Sequence, residues 1–143
     1  MSDREVIVPA AMRRIYEEYG YAPALRVGNL VFVAGQVGRT ADLDVIVDPE
    51  AQFTAAWENC RIVLAAAGCG FEDVVDLTTY VVDMPVHMPL FRVVKVRHFP
   101  QRTCPWTAIG VSALSRPGLL AEIKMTALLP DAASGGTPSS GTA

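Results

Sequence analysis

The chain is poor in the residues on which metal sites and disulfide frameworks depend. Its 143 residues include three cysteines, Cys60, Cys69 and Cys104, and two histidines, His87 and His98. An odd number of cysteines, without Cys-x-x-Cys or histidine-paired spacing, argues against a disulfide framework and a zinc site. Neither histidine has a serine or cysteine partner at a recognisable spacing. We therefore predict no metal and no cofactor.

Long apolar runs and basic clusters are also missing. No apolar run approaches the roughly 18 to 20 residues that a membrane span requires. No basic stretch followed by an apolar core comes after Met1, so we expect no secretory signal. The net charge is −3 without a cluster of lysine or arginine, and phosphate binding draws on such clusters. The sequence thus predicts a cytoplasmic protein that binds neither membranes nor nucleic acids.

The apolar content is high for a chain of this length. Hydrophobic residues make up 51% of the chain and charged residues 19%, which is richer in apolar residues than an average soluble protein. A chain of 143 residues suits one compact domain with its own core. We expect the excess of apolar residues to cover a subunit interface.

Hydrophobic periodicity changes several times along the chain. Residues 25–36 hold two apolar runs around a Gly-Asn dipeptide, which predicts strand, turn, strand. Residues 48–68 begin with Asp-Pro, repeat apolar residues at three- and four-residue steps and stop at glycine, as a capped helix does. Residues 74–82 are largely apolar and rich in valine, as a buried strand is. A second helical stretch follows from about residue 89 to residue 98.

One carboxylate lies inside an apolar region near the C-terminal end. Residues 106–114 and 119–127 are typical of strands, and the Ser-Arg-Pro-Gly sequence between them is typical of a turn. This pattern predicts a β-hairpin or a near-adjacent strand pair. Glu122 lies in the middle of the second strand. It is either a solvent-facing residue of a half-exposed strand or a site acid whose pKa the surroundings tune.

The order of elements predicts a single sheet, joined by right-handed crossovers, with both helices on one face. The opposite sheet face then lacks a cover, and we expect it to meet other copies of the chain. Residues 1–19 are predicted as an N-terminal segment with a short helix. Residues 130–143, dominated by Ala, Ser, Gly, Thr and Pro, are predicted as a disordered tail.

Several separated stretches, in this order, resemble the RidA (YjgF) family of reactive-intermediate deaminases, also called L-PSP endoribonucleases. They are residues 21–36 with their Ala-Gly-Gln turn, the helix at 52–68, the strand at 73–83 and the closing strand pair. The resemblance spans residues 20–129 and implies a chorismate-mutase-like α+β fold. It also implies a homotrimer whose sheets face a central barrel, with small-molecule clefts between neighbouring subunits.

The resemblance assigns roles to four residues that match the family pattern. Tyr21 matches a tyrosine that lines the cleft, and Gly35 and Gln36 match the turn beside it. Glu122 matches the catalytic carboxylate that positions the hydrolytic water. In the family reaction, that water attacks the C=N carbon of a small imine or enamine, and ammonia leaves.

The family arginine, which pairs with a substrate carboxylate, has two possible positions in this chain. In the register that needs fewer inserted residues, Trp106 replaces the arginine, Ala108 replaces a cysteine, and Phe91 replaces a polar residue of the second helix. The alternative register aligns Arg102 and Cys104 with the family's Arg-Ser-Cys sequence. With Trp106 in place of arginine, the pocket favours a larger, neutral or aromatic ligand. The other possibility is that Trp106 fills the trimer interface.

Three functions remain open at this point. The first is a deaminase-like hydrolase that acts on a reactive imine or enamine, with Glu122 as its base. The second is a trimer that binds a small molecule or a client protein without turnover. The third, a ribonuclease, is the least favoured, because the chain is acidic and lacks a general acid–base pair.

Overall fold

A computed structural model describes residues 3–130 of the chain. Six strands and two long helices follow one another in the order β1, β2, β3, α1, β4, α2, β5, β6. The strands are β1 (Arg4–Ile7), β2 (Ala24–Val27), β3 (Leu30–Val37), β4 (Val74–Val82), β5 (Trp106–Val111) and β6 (Ala121–Leu128). The helices are α1 (Pro49–Ala66) and α2 (Met84–His98).

The strands form one mixed sheet in the order β1-β2-β3-β6-β4-β5. β4 and β5 are parallel and connected through α2, whereas the other neighbouring pairs are antiparallel. α1 packs against β3, β6 and α2, and α2 also contacts β4. Both helices therefore cover the same face of the sheet, which confirms the predicted α+β class and single domain.

Helix α1 has the ends that the sequence predicts. The Asp48 carboxylate accepts a hydrogen bond from the Ala51 amide at 2.9 Å, and Pro49 occupies the first helical position, where a missing N–H costs nothing. The helix is followed by Gly68 with a positive φ of 84°, a conformation that glycine adopts without strain.

The core lies between the helices and the sheet. Trp57 stacks on Phe99 with 5.5 Å between ring centroids, and Phe53 meets Phe91 edge to face at 5.3 Å. Complete burial of one such side chain stabilises the fold by roughly 1.5 to 3 kcal/mol. Cys60 is fully buried in the same layer, as expected for a core helix residue, and burial raises the pKa of its thiol.

Helix α2 begins five residues earlier than predicted, at Met84 rather than near residue 89. Asp83 precedes it in a left-handed conformation with φ of 50°. Pro85 lies in the first turn, where the amide has no helical partner and proline is tolerated. The prediction was wrong because Pro89, which lies inside the helix, resembled a helix start.

Strands β5 and β6 do not form the predicted hairpin. β4 lies between them, parallel to β5 and antiparallel to β6. The hairpin alternative is therefore wrong, and the two strands are one strand apart. A turn-like connection in the sequence cannot show that an earlier strand has entered between the two strands that it joins.

The N-terminal segment contributes to the sheet. β1 pairs with β2 at its edge, which the sequence analysis did not foresee. Short helical turns follow at Ala10–Met12 and Ile15–Tyr19. Ile7, Met12 and Ile15 are buried, so this segment anchors to the core through three apolar side chains. The predicted disordered tail, from residue 131 onward, lies outside the described residues.

The sheet face opposite the helices carries exposed apolar side chains. Cross-strand pairing places Val6, Leu25 and Phe32 in one row and Leu30 beside Leu128. Of these, Val6, Leu30, Phe32 and Leu128 are exposed large hydrophobic residues. A single chain leaves this face without a cover.

Candidate functional site

A pocket of about 350 Å³ lies beside Glu122. Residues from four parts of the chain meet there: the end of the N-terminal segment, β3 and its following loop, the β5–β6 connection, and β6. Its lining consists of Tyr19, Tyr21, Gly35, Val37, Arg39, Ser115, Arg116 and Glu122. Glu122 pairs with Val37 and Tyr80 on the neighbouring strands, so its side chain lies on the sheet face without helices.

The backbone of β3 makes room for the Glu122 carboxylate. The β3–β6 register shifts between Val33 and Gln36, a bulge that brings Gly35 next to the glutamate. A Cβ atom on Gly35 would lie 2.6 Å from Cδ of Glu122, which is closer than two nonbonded carbon atoms can approach. Glycine at position 35 is therefore required for the carboxylate to occupy this place.

The pKa of Glu122 is raised from its ordinary value of 4.5, because burial disfavours the charged form. The positive charges of Arg39 and Lys124 oppose this shift. A carboxylate with a raised pKa binds a proton more readily than an exposed one. The group is therefore suited to accept a proton from a water molecule held beside it.

Two arginine–tyrosine pairs form the wall of the pocket. Arg39 Nη2 donates a hydrogen bond to the Tyr21 hydroxyl at 2.9 Å. Arg116 Nη1 donates one to the Tyr19 hydroxyl, also at 2.9 Å. The Arg39 guanidinium lies 5.7 Å from the centroid of the Tyr19 ring. The four side chains thus support one another around the opening.

Side-chain amides of α1 fix the backbone on both sides of the pocket. Asn59 on α1 donates to the carbonyl oxygens of Val37 and Arg39 at 2.9 and 3.4 Å. Gln52, fully buried on the same helix, donates to the carbonyl of Gly118 at 2.9 Å and accepts from the amide of Leu120 at 2.7 Å. These bonds tie the loop with Arg39 and the turn with Arg116 to a rigid helix.

Three of the residues predicted from the sequence come together in this pocket, and one neighbour does not. Tyr21, Gly35 and Glu122 all line it. Gln36 is buried on the helix side of the sheet, and its amide donates to the Ala34 carbonyl at 3.0 Å. It lines a second cavity of about 240 Å³ that the N-terminal segment and α1 enclose.

Trp106 and Ala108 lie elsewhere in the chain, at the outer edge of the sheet. They pair with Leu77 and Thr79 of β4, both buried, so they face the helices rather than the Glu122 side. Trp106 Nε1 donates to Thr79 Oγ1 at 3.0 Å, and Lys95 Nζ lies 4.3 Å from the indole centroid. Both the edge and one face of the indole are thus occupied within the chain.

The remaining predicted residues also lie outside the pocket. Phe91 is 0% exposed within the aromatic core. Arg102 is exposed in the connection between α2 and β5. Cys104 is half-buried in the same connection, and burial raises the pKa of its thiol.

Sequence analysis missed the two arginines and one of the two tyrosines that line the pocket, and also Tyr80 on the strand beside Glu122. Arg39 follows the Ala-Gly-Gln turn by three residues, and Arg116 lies in the Ser-Arg-Pro-Gly turn. Both are loop residues, and no pattern in the sequence marks them as part of a site. Tyr80 pairs with Glu122 across β4 and β6, and the alternation of strand residues could have placed it on the same face. Tyr19 could not have been found without the fold.

No group of three or more His, Cys, Asp or Glu side chains within residues 3–130 is placed to hold a metal ion. In the same part of the chain, no helix is both long enough and apolar enough to cross a membrane.

Comparison with known proteins identifies the family and supports the fold. The sequence model of the family described as Endoribonuclease L-PSP matches residues 12–129. The RutC family protein YjgH of Escherichia coli (strain K12) is 37% identical over 132 residues, which cover 92% of this chain and 99% of that protein. A solved structure of protein YJGH has a TM-score of 0.83 at 36% identity and covers 90% of this chain and 98% of its own.

A more distant structure gives the same result. The crystal structure of Rv2704 from Mycobacterium tuberculosis, a member of the YjgF/YER057c/UK114 family, has a TM-score of 0.74 at 30% identity. The match covers 88% of this chain and 99% of that one. The sequence model, the identities and the shared fold lead to one conclusion: the chain belongs to the RidA (YjgF) family.

Proposed function

We propose that the protein is a deaminase-like hydrolase of small imines or enamines, with Glu122 as the base that positions water. One observation carries this proposal. A half-buried carboxylate with a raised pKa lies in a pocket of about 350 Å³, at a place that Gly35 keeps clear for it. A pocket of this size suits a small molecule.

The proposed reaction requires one water molecule. Glu122 accepts a proton from the water as its oxygen attacks the C=N carbon of the substrate. Glu122 passes this proton to the imine nitrogen, which gives a neutral amino alcohol. Collapse of the amino alcohol transfers the hydroxyl proton to the nitrogen, breaks the C–N bond and releases ammonia. The carbon keeps the water oxygen and becomes a carbonyl group, and Glu122 returns to its ionised form.

We also propose that the functional unit is a homotrimer with its clefts between subunits. The sheet face without helices carries Phe32 with 41% of its surface exposed, beside exposed Leu30 and Leu128. Burial of such a face by other copies of the chain removes its contact with water. We expect Trp106 and Ala108 to contribute to a cleft between subunits through the sheet edge at which they lie, because the family resemblance places ligand contacts at these positions.

A second candidate is a trimer that binds a small molecule without turnover. Among the described residues that line the pocket, Glu122 is the only carboxylate, and no histidine accompanies it. A proton donor for the leaving nitrogen is therefore less evident than the base. The ribonuclease named in the family description is less well supported, because RNA hydrolysis calls for a general acid–base pair.

The experiment that tests turnover uses imines generated in situ from amino acids by an amino-acid oxidase. The native protein is expected to accelerate imine loss and ammonia release well above the rate without it. If it accelerates neither for any imine in a broad panel, while native mass spectrometry detects a retained small molecule, the binding function replaces the hydrolase.

A further inference from the structure

We infer that Arg39 and Arg116 form an anion-binding subsite beside Glu122, and that its ligand is a small organic molecule with one carboxylate group. The inference rests on the proposal that this pocket is the functional site. It adds the charged group by which the ligand is held and the residues that hold it.

Both arginines have donors to spare. Six ion pairs form among residues 3–130, and neither Arg39 nor Arg116 takes part in any of them. Each guanidinium donates one hydrogen bond to a tyrosine hydroxyl, whereas an arginine carries five N–H donors. Both side chains are half-buried and line the pocket. Half-buried guanidinium groups without a carboxylate partner are suited to bind an anion that enters from solvent.

The charges of the pocket favour a monoanion. Its lining contains two arginines and one glutamate, which leaves one positive charge in excess among the lining side chains when Glu122 is ionised. Lys124, whose charge also acts on Glu122, is outside the lining and donates to the Val33 carbonyl oxygen. A ligand with one carboxylate neutralises that excess, whereas a phosphate dianion would reverse it and place more negative charge next to Glu122. The charge balance therefore favours a carboxylate over a phosphate.

The arginines are also held in place before any ligand arrives. Asn59 binds the Arg39 carbonyl, and Gln52 binds the backbone on the C-terminal side of Arg116. The tyrosine hydroxyls hold the guanidinium groups themselves. Fixed guanidinium groups lose little freedom on pairing with a carboxylate, which they match in shape. The neighbouring tyrosine rings offer flat surfaces for an unsaturated ligand.

The proposed subsite changes the class of ligand that Trp106 by itself predicts. Tryptophan in place of the family arginine favours a neutral ligand, because the strand no longer supplies a charged fork. Arg39 follows β3 and Arg116 lies between β5 and β6, so their positive charge comes from two other parts of the chain. The sequence comparison at one strand position cannot reveal such a replacement.

The test measures binding of benzoate and benzamide to the full chain by isothermal titration calorimetry at pH 7 and low salt. The two probes have nearly the same shape, and only benzoate is charged. We expect benzoate to bind at least about tenfold more tightly. Arg39→Gln and Arg116→Gln should each weaken benzoate binding by about tenfold or more, with little effect on benzamide. Arg39→Lys, which keeps the charge, should retain part of the affinity.

Arg61→Gln on α1 is the matched control, because it removes the same charge from an exposed side chain that pairs with Glu58. It should leave benzoate binding unchanged. The inference is overturned if benzoate does not bind, if benzamide binds equally well, or if both arginine variants bind benzoate normally. Loss of binding only in Arg102→Gln would move the carboxylate site to the alternative register. Tighter binding of inorganic phosphate than of benzoate would overturn the choice of a carboxylate.

The two proposals can fail separately. Arginine-dependent benzoate binding without imine turnover would refute the hydrolase and leave the subsite standing. Imine turnover that is unaffected by both arginine variants would refute the subsite alone.

Discussion

Gly35 and Glu122 depend on each other, because a Cβ atom at position 35 would overlap the space that the Glu122 carboxylate occupies. Gly35 has no positive φ, so its backbone conformation does not require glycine. Glycine is required at this position because the Glu122 carboxylate approaches it closely. The bulge in β3 and the glutamate in β6 thus act as one unit.

This relationship predicts the effect of Gly35→Ala. The new methyl group should displace the carboxylate while the flexible glutamate side chain relieves the clash, so imine turnover should fall by tenfold or more. A glycine-to-alanine change in a strand is by itself worth only roughly 0.5 to 1 kcal/mol, and the free energy of unfolding should change little. Gly110→Ala is the control, since its Cβ would meet Met84 at an ordinary 3.8 Å. Full activity in Gly35→Ala would show that the carboxylate position is unimportant.

The pH profile of turnover should report the raised pKa of Glu122. A base acts only when deprotonated, so the acidic limb of kcat/KM should lie above the ordinary glutamate value of 4.5. Because the Arg39 charge lowers the pKa of Glu122, Arg39→Gln should move this limb to higher pH, and Arg61→Gln should not. A limb that stays fixed in Arg39→Gln would assign it to another group.

The stability of Glu122→Gln should depend on pH in a defined direction. Burial raises the pKa of Glu122 in the folded state, so the native protein loses stability as pH rises from the unfolded pKa through the folded one. Glutamine carries no such proton. The free energy of unfolding of the variant, relative to the native protein, should therefore increase between pH 4 and pH 7, as urea denaturation can measure. A marked loss of stability at pH 7 would indicate a structural ion pair instead.

A charged residue introduced on the sheet face without helices tests the trimer. Light scattering of the native protein should give three times the chain mass of 15.4 kDa. Phe32→Glu places a charge at the centre of the exposed apolar rows and should yield monomers. Val96→Glu, on the outer side of α2 with Val96 64% exposed, is the matched control and should not. A native mass of 15.4 kDa, or a Phe32→Glu variant with native mass, would contradict the trimer.

Much of this fold could be predicted because its signals are local. The Asp48 cap, the apolar spacing of α1 and the Gly28 turn each act over a few residues, and the structure contains all three. The place of β4 between β5 and β6 could not be predicted, since it depends on contacts between strands far apart in the chain. Proline was also ambiguous, because Pro89 fits either a helix start or a helix interior.

The candidate site also contains residues that the sequence predicted and residues that it did not predict. Tyr21, Gly35 and Glu122 were found because they match a family pattern, and the structure brings them into one pocket. Arg39 and Arg116 were missed because each is a polar loop residue that looks like any exposed arginine. Only the pairing of β3 with β6, and the bonds from Gln52 and Asn59 that hold the loops, bring them beside the carboxylate.

The most direct test of the account compares the imine turnover of the native protein with that of Glu122→Gln under identical conditions. Glutamine keeps the shape of the side chain but cannot accept the proton from water. Loss of a general base typically costs a factor of about 100 or more, so kcat should fall by at least that factor while benzoate binding and the oligomeric mass are retained. A Glu122→Gln variant that turns over imines at the native rate would contradict the role of Glu122 and with it the proposed function.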